Sequence, residues 1–170
     1  MFFLMLFVSF NVLSQSKLQD KKAVHLAREY FRIEDYNQAK IYYEQLVAEH
    51  PENDHFNYYL GVCYFKLGDT DKALNYFKKA SSGDSNTGDY EFEYYLARSF
   101  HMGHHFEDAI THYMLYRQKV ESDKDIKKYP HSLTEINAEI TRCRIGMELM
   151  KKPIEVQIEN LGPVVNTEFN

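Results

Sequence analysis

Residues 54–81 read DHFNYYLGVCYFKLGDTDKALNYFKKAS, and how they are read decides the fold. Leu60, Gly61 and Tyr64 lie at helical spacing before the break Leu67-Gly68-Asp69, and Ala73, Phe77 and Ala80 lie at helical spacing after it. The same kinds of residue occur 34 positions earlier as Leu26, Ala27, Tyr30, Ala39 and Tyr43, with Pro51 closing that set. They occur again 36 positions later as Leu96, Ala97, Phe100, Ala109 and Tyr113. A period of this length marks stacked helix-turn-helix units, none of which buries its apolar face alone. It moves the question of function from catalysis to surfaces.

The pattern predicts seven helices. The first spans 18–33 and carries Ala23, Leu26, Ala27, Tyr30 and Phe31 at helical spacing. The second, 36–49, places Ala39, Tyr43, Leu46 and Val47 on one face, and Pro51 stops it. Asp35 stands at its N-cap, with Gln38 three residues later in the capping-box position. The third, 54–67, ends at Gly68, which supplies the positive φ a helix terminus needs. Asp69 caps the fourth, 70–81. The polar loop 81–89 accounts for the two extra residues before the third unit, whose helices span 90–102 and 106–120. There His105 takes the slot of Asp35 and Asp69, so this turn loses its best cap. A charged connection, 121–130, leads to a seventh helix at 131–151, with Ile136, Ile140, Cys143, Met147 and Met150 on one side. A terminal repeat exposes an unpaired face, so this last helix reads as a cap. After Pro153, Ile154, Val156 and Ile158 alternate with Glu155, Gln157 and Glu159, which is strand period, until Gly162-Pro163 breaks it.

With 170 residues, 44% hydrophobic and 26% charged, the chain makes one packed domain. Fourteen tyrosines and twelve phenylalanines, with no tryptophan, supply rings to fill the gaps between helices. A net charge of −5 and the lack of a clustered basic stripe argue against a nucleic-acid partner. Residues 2–13 are almost wholly apolar, broken by Ser9 and Asn11. That run is shorter than the roughly 20 residues a membrane span needs. It fits the apolar core of a secretory signal with cleavage near Val12-Leu13-Ser14, although no Lys or Arg precedes it. Residues 1–14 are therefore read as a signal peptide, 15–152 as the helical domain and 153–170 as a linker with a short β-forming tail. Cys63 and Cys143 fall on helices too far apart in an array to pair, so free buried thiols are expected.

The three sets resemble the tetratricopeptide repeat (TPR) over residues 20–121. Ala27, Gly61 and Ala97 let the helices of a pair approach, and Ala39, Ala73 and Ala109 do so from the other side. Tyr30, Tyr64 and Phe100 fill the space between. Leu46 and Tyr116 depart from the pattern, which has a small residue there. The resemblance implies an all-α array of three repeats plus a capping helix, binding a partner in a concave groove lined by the first helix of each pair. The family's groove positions fall on Val24, Arg28, Phe31 and Arg32, then Tyr58, Val62, Phe65 and Lys66, then Tyr94, Arg98, His101 and Met102. Basic heads among rings suit an extended peptide with acidic groups. The plainer alternative is that Arg28, Arg32 and Lys66 only solvate the inner face. The asparagines of the carboxylate clamp are missing, with Arg28 and Val62 in their places, which disfavours chaperone tails.

The run from Ile158 to Phe169 resembles the opening of a TolB-like β-propeller, as found in Bacteroidetes-type OmpA-like envelope proteins. That resemblance implies an exported, periplasmic, outer-membrane-associated protein, some relatives serving as anchors of a secretion machine. Peptidoglycan would then be bound only through a domain absent from this chain, which would be the N-terminal part of a longer protein.

His101, His104, His105 and His112 form the one histidine cluster. His101 and His105 are four apart, but a helix boundary near Gly103 breaks the spacing a metal site uses, so an exposed turn is expected. There is no G-x-S-x-G, no phosphate-binding loop and no Cys with a suitably spaced His. The expected function is a non-enzymatic, cofactor-free protein-interaction scaffold; the alternative is a structural spacer or self-association module with no groove ligand.

Overall fold

Side-chain caps start most of the helices, and small residues decide where the helices meet. The computed structural model describes residues 20–81 and 90–151. Helix α1 takes in residues 20–32. It is followed by α2 (Tyr36–Glu49), α3 (Asp54–Lys66), α4 (Thr70–Ser81), α5 (Phe92–Met102), α6 (Phe106–Ser122) and α7 (Leu133–Met150). A single 3-10 turn, Ile126–Lys128, sits in the connection between α6 and α7. The fold is an all-α, TPR-type array. The expected signal peptide, the loop 82–89 and the strand-period tail lie outside the described residues. No described helix is long and apolar enough to cross a membrane.

Asp35 Oδ1 accepts from the Gln38 amide at 3.1 Å, and Asp69 Oδ1 accepts from the Lys72 amide at 3.2 Å. Asn53 and Ser132 cap α3 and α7 in the same way, at 3.0 and 3.2 Å. His105 makes no such bond, and Glu107 and Asp108 in the first turn of α6 complement the helix dipole instead. The turns repeat in detail. Glu34, Gly68 and His104 occupy one repeat position and all have positive φ, at 61°, 86° and 60°. In each unit the next amide donates back to the ring-bearing residue of the first helix: Asp35 to Tyr30 at 2.9 Å, Asp69 to Tyr64 at 3.0 Å and His105 to Phe100 at 2.9 Å.

Each described helix from α2 onward packs on its neighbours in chain order, and α3 also reaches α5. Ala27, Ala39, Ala73, Ala97 and Ala109 have no exposed surface. Gly61 is tighter still: a Cβ there would lie 2.7 Å from Phe77 Cε1. A second set of ring pairs follows the repeat: Tyr30 on Tyr42, Tyr64 on Tyr76 and Phe100 on His112, all stacked at 5.4 to 5.7 Å between centroids. His112 is therefore the third unit's version of Tyr42 and Tyr76. Cys63 and Cys143 are free and buried, and burial pushes their thiols up to about 12 and about 11. Both stay protonated and unreactive at neutral pH.

His112 Nδ1 lies 2.8 Å from Glu93 Oε2, and Lys119 Nζ lies 3.4 Å from Glu93 Oε1, which ties α5 to α6. Burial raises the Glu93 carboxyl, but the hydrogen bond from His112 and the charge of Lys119 outweigh it, so the net shift is downward. A depressed carboxylate stabilises the fold above its ordinary value of 4.5 and loses that contribution as pH falls through the folded value. Glu93→Gln should therefore flatten the acid limb of stability against pH, as read by urea denaturation from pH 3 to pH 6. Gly61→Ala should cost about 1–3 kcal/mol by overpacking against Phe77, with unchanged helix content by circular dichroism.

Candidate functional site: the C-terminal end of the groove

The first helices of the units, α1, α3 and α5, carry the residues expected in the groove. Arg28 and Arg32 are exposed on α1, and Arg32 Nη2 pairs with Glu29 Oε2 one turn back at 3.0 Å. Phe31 is half-buried among rings, with Tyr59 at 5.0 Å and Tyr36 at 5.5 Å. Two residues expected to face a ligand do not. Tyr58 is 2% exposed and Val62 is 1% exposed. The Tyr58 ring packs on Phe77, Phe92 and Tyr95, because α5 lies against this side of α3 and closes it. Phe65 is half-buried against Tyr95 at 5.4 Å. Exposed Lys66 holds its ammonium 5.9 Å from the Tyr36 ring and 5.7 Å from the Tyr95 ring. Tyr94 lies beneath the imidazole of His131, stacked at 3.5 Å between centroids.

Arg98, His101 and Met102 do come together, in a cleft of about 470 Å³ between α5 and α7. Its other wall is Arg142, Ile145, Gly146 and Leu149, with His104 and Phe106 at one end. Ile145 is 54% exposed and Leu149 65% exposed. They stand one turn apart and form a ridge that also borders a second opening of about 430 Å³, lined by Thr141, Arg144 and Glu148. Gly146 allows this arrangement: a Cβ there would fall 2.5 Å from Phe106 Cζ, so only glycine lets α7 lie against that ring.

The polar side of the cleft centres on Glu139, which is 7% exposed. Its Oε1 accepts from Arg142 Nη1 at 2.6 Å, and its Oε2 accepts from Arg98 Nη1 at 3.3 Å. Two guanidinium groups thus share one carboxylate, leaving an excess of positive charge beside an apolar ridge. His101 Nδ1 stands 3.5 Å from Glu139 Oε2 without forming a hydrogen bond. Burial, helped by Arg98 and Arg142, pushes His101 down against the pull of Glu139, so its ring is neutral at pH 7.

The fold keeps His101 and His104 beside one cleft and gives His112 a separate, structural place. His101 lines the cleft, His104 holds a left-handed turn, His105 stands at the start of α6 and His112 is a structural ring. The ridge of Ile145 and Leu149 went unpredicted, because α7 was expected to turn one stripe inward. Ile136, Ile140 and Cys143 of that stripe are buried, but Met150 is exposed. The one signal available was Gly146 inside an otherwise helical run, which marks a close approach.

Residues 25–89 match the family model of the tetratricopeptide repeat. No curated protein sequence matches the chain. Several solved structures share the fold. The Yersinia enterocolitica type III secretion chaperone SycD, in complex with a peptide of the translocator YopD, has a TM-score of 0.60 at 15% identity over 75% of this chain and 93% of its own. The TPR2B domain of yeast Sti1, in a complex with pHsp70, has a TM-score of 0.57 at 17% identity over 75% and 98%. The Sgt2 TPR domain of Aspergillus fumigatus has a TM-score of 0.56 at 14% identity over 84% and 88%.

Removing Glu139 leaves two guanidinium groups without their shared acceptor. Hydrogen bonds to charged groups contribute about 1.5–3 kcal/mol, and the exposure of Arg142 reduces that here. Glu139→Ala should therefore cost about 1–2 kcal/mol in chemical denaturation, and Arg142→Ala should cost less than half of that.

Proposed function

We propose that the chain is a protein-interaction scaffold that docks a segment of a partner protein at the C-terminal end of its concave groove. The observation that carries this reading is the exposed Ile145–Leu149 ridge beside Arg98 and Arg142, which share one carboxylate. An apolar side chain of the partner enters the cleft, and flanking acidic groups meet the exposed donors of Arg142. Arg28, Arg32 and Lys66 extend the basic surface along the first helices, while the rings of Phe31 and Phe65 support it from below. SycD in complex with a YopD peptide is a precedent for peptide binding by this fold, and the Sti1 domain in complex with pHsp70 is one for binding a partner protein. The role is binding rather than catalysis, and it calls for no cofactor.

The apolar leader supports export, and the tail's likeness to a propeller opening supports a place in the periplasm. There the chain acts as the N-terminal, outer-membrane-associated part of an OmpA-like protein, such as an anchor of a secretion machine. The second reading, a self-association module, is favoured by the same exposed ridge if it pairs with a second copy.

Peptide display against the full chain tests the choice. Selected peptides should be rich in aliphatic residues flanked by Asp or Glu, and Ile145→Glu with Leu149→Glu should weaken them at least tenfold without altering helicity. Peptides indifferent to that double variant would move the site elsewhere. A concentration-dependent dimer in light scattering, abolished by the same variant, would favour self-association.

A further inference from the structure

The N-terminal ends of α5 and α7 meet over the groove position that sequence assigns to Tyr94. His131, just before α7, covers that ring face to face, at 3.5 Å between centroids and an interplanar angle of 16°. Its two ring nitrogens each face a carboxylate. Nδ1 lies 3.0 Å from Glu135 Oε1, and Nε2 lies 3.5 Å from Glu91 Oε1. The backbone of His131 is held as well: its amide donates to the Tyr116 hydroxyl at 3.3 Å, and its carbonyl lies 3.4 Å from the same oxygen.

We propose that His131 is a protonation-controlled cover on the groove, clamped over Tyr94 as the imidazolium and released as the neutral ring. The proposal rests on the groove-docking reading and adds its regulation. The geometry carries it. A neutral imidazole donates from one nitrogen only, so in that form one lone pair must face a carboxylate. The imidazolium donates to both, and its charge lies over the π-face of Tyr94. Protonation therefore holds the cover shut, and deprotonation turns one of two attractive contacts into a repulsive one.

The other groups around His131 leave it as the switch. Glu91 approaches from the residue before α5, Tyr94 from α5, Tyr116 from α6 and Glu135 from α7, while Tyr129 of the connection packs on Tyr116 behind it. Burial raises Tyr94, and it pushes Tyr116 up to about 12, so neither titrates near neutrality. In the same connection, the hydrogen bond with Lys128 holds Asp123 low, and the bond with Asp123 holds Lys128 high. For His131, burial pulls downward but the bonds to Glu91 and Glu135 outweigh it, and the net shift is upward from 6.5. A raised folded value means the clamp is fully present below pH 6.5 and is lost as pH rises through the folded value.

Nuclear magnetic resonance on the full chain reads the cover without any partner. The His131 ring protons should carry a ring-current shift from Tyr94 at low pH, and that shift should disappear in a single titration centred above pH 6.5. Amide exchange across residues 123–132, corrected for its intrinsic pH dependence, should accelerate over the same step. His131→Gln should exchange at the released rate at every pH. Should that variant unfold, Glu135→Gln supplies the second test and should lower the titration of His131. A ring-current shift that persists through deprotonation, or titration at or below pH 6.5, overturns the proposal. Peptides selected for groove binding should bind the wild type more tightly above the transition and His131→Gln equally throughout. If the cover opens but affinity does not follow, its role as a groove control is overturned. If no peptide binds at any pH, the groove reading falls, and the ring-current titration still decides the cover.

Discussion

Everything in this molecule depends on helices of one unit approaching at residues with little or no side chain. Gly61 against Phe77 is the tightest instance, with less than 3 Å between an added Cβ and the ring. Fully buried Ala27, Ala39, Ala73, Ala97 and Ala109 occupy the corresponding places. Close approach pushes the large side chains to the flanks of each helix pair and into the space between units. There Tyr43 stacks on Tyr59, and Phe77 stacks on Tyr95. Small residues at the closest approach and rings around and between the units are two aspects of one packing solution. The core therefore runs continuously along the array, and each unit leans on the next.

Because the solution is periodic, much of it can be read from residue order alone. The helix boundaries, the caps at Asp35 and Asp69 and the left-handed Gly68 all follow from local chemistry that spacing reveals. The repeat even explains residues that look anomalous singly. His112 stands in the ring slot of Tyr42 and Tyr76, and Glu34 and His104 accept positive φ where Gly68 sits in the second unit. What spacing does not convey is which side of a first helix stays open. Tyr58 and Val62 hold groove positions in the repeat pattern, yet α5 lies against them and buries both. That outcome depends on the size of Phe92 and Tyr95 on the next unit, which is tertiary information.

The ion pairs divide in the same way. Pairs within a helix, such as Arg32 with Glu29, are exposed and contribute little. Those that matter join different helices: Glu93 to His112 and Lys119, and Glu139 to Arg98. Their partners are 19 to 41 residues apart, beyond any local pattern. The Glu93 pairs replace packing at a place where the third unit departs from the other two. Repeat position four is Ala23 in the first unit and Asn57 in the second, but Glu93 in the third, and the array accommodates that carboxylate by bringing cations from α6.

These departures gather at one end, and that is where a partner gains most. In the first two units the first helix is covered by the helices that follow, Arg32 is paired locally and Lys66 lies over rings. On α7, no described helix covers Ile145 and Leu149, and beside them Arg142 of α7 and Arg98 of α5 share one acid. Apolar area still in contact with water is what a docking segment removes, at roughly 25 cal/mol per Å² before the costs of ordering. The covered positions at Tyr58 and Val62 have nothing left to give, since their burial already stabilises the fold. On the docking reading proposed above, a ligand gains most between α5 and α7, close to the helix junction that His131 holds. The residues that repeat thus hold the frame, while those that differ from unit to unit leave an open, partly apolar cleft among the described helices at the C-terminal end.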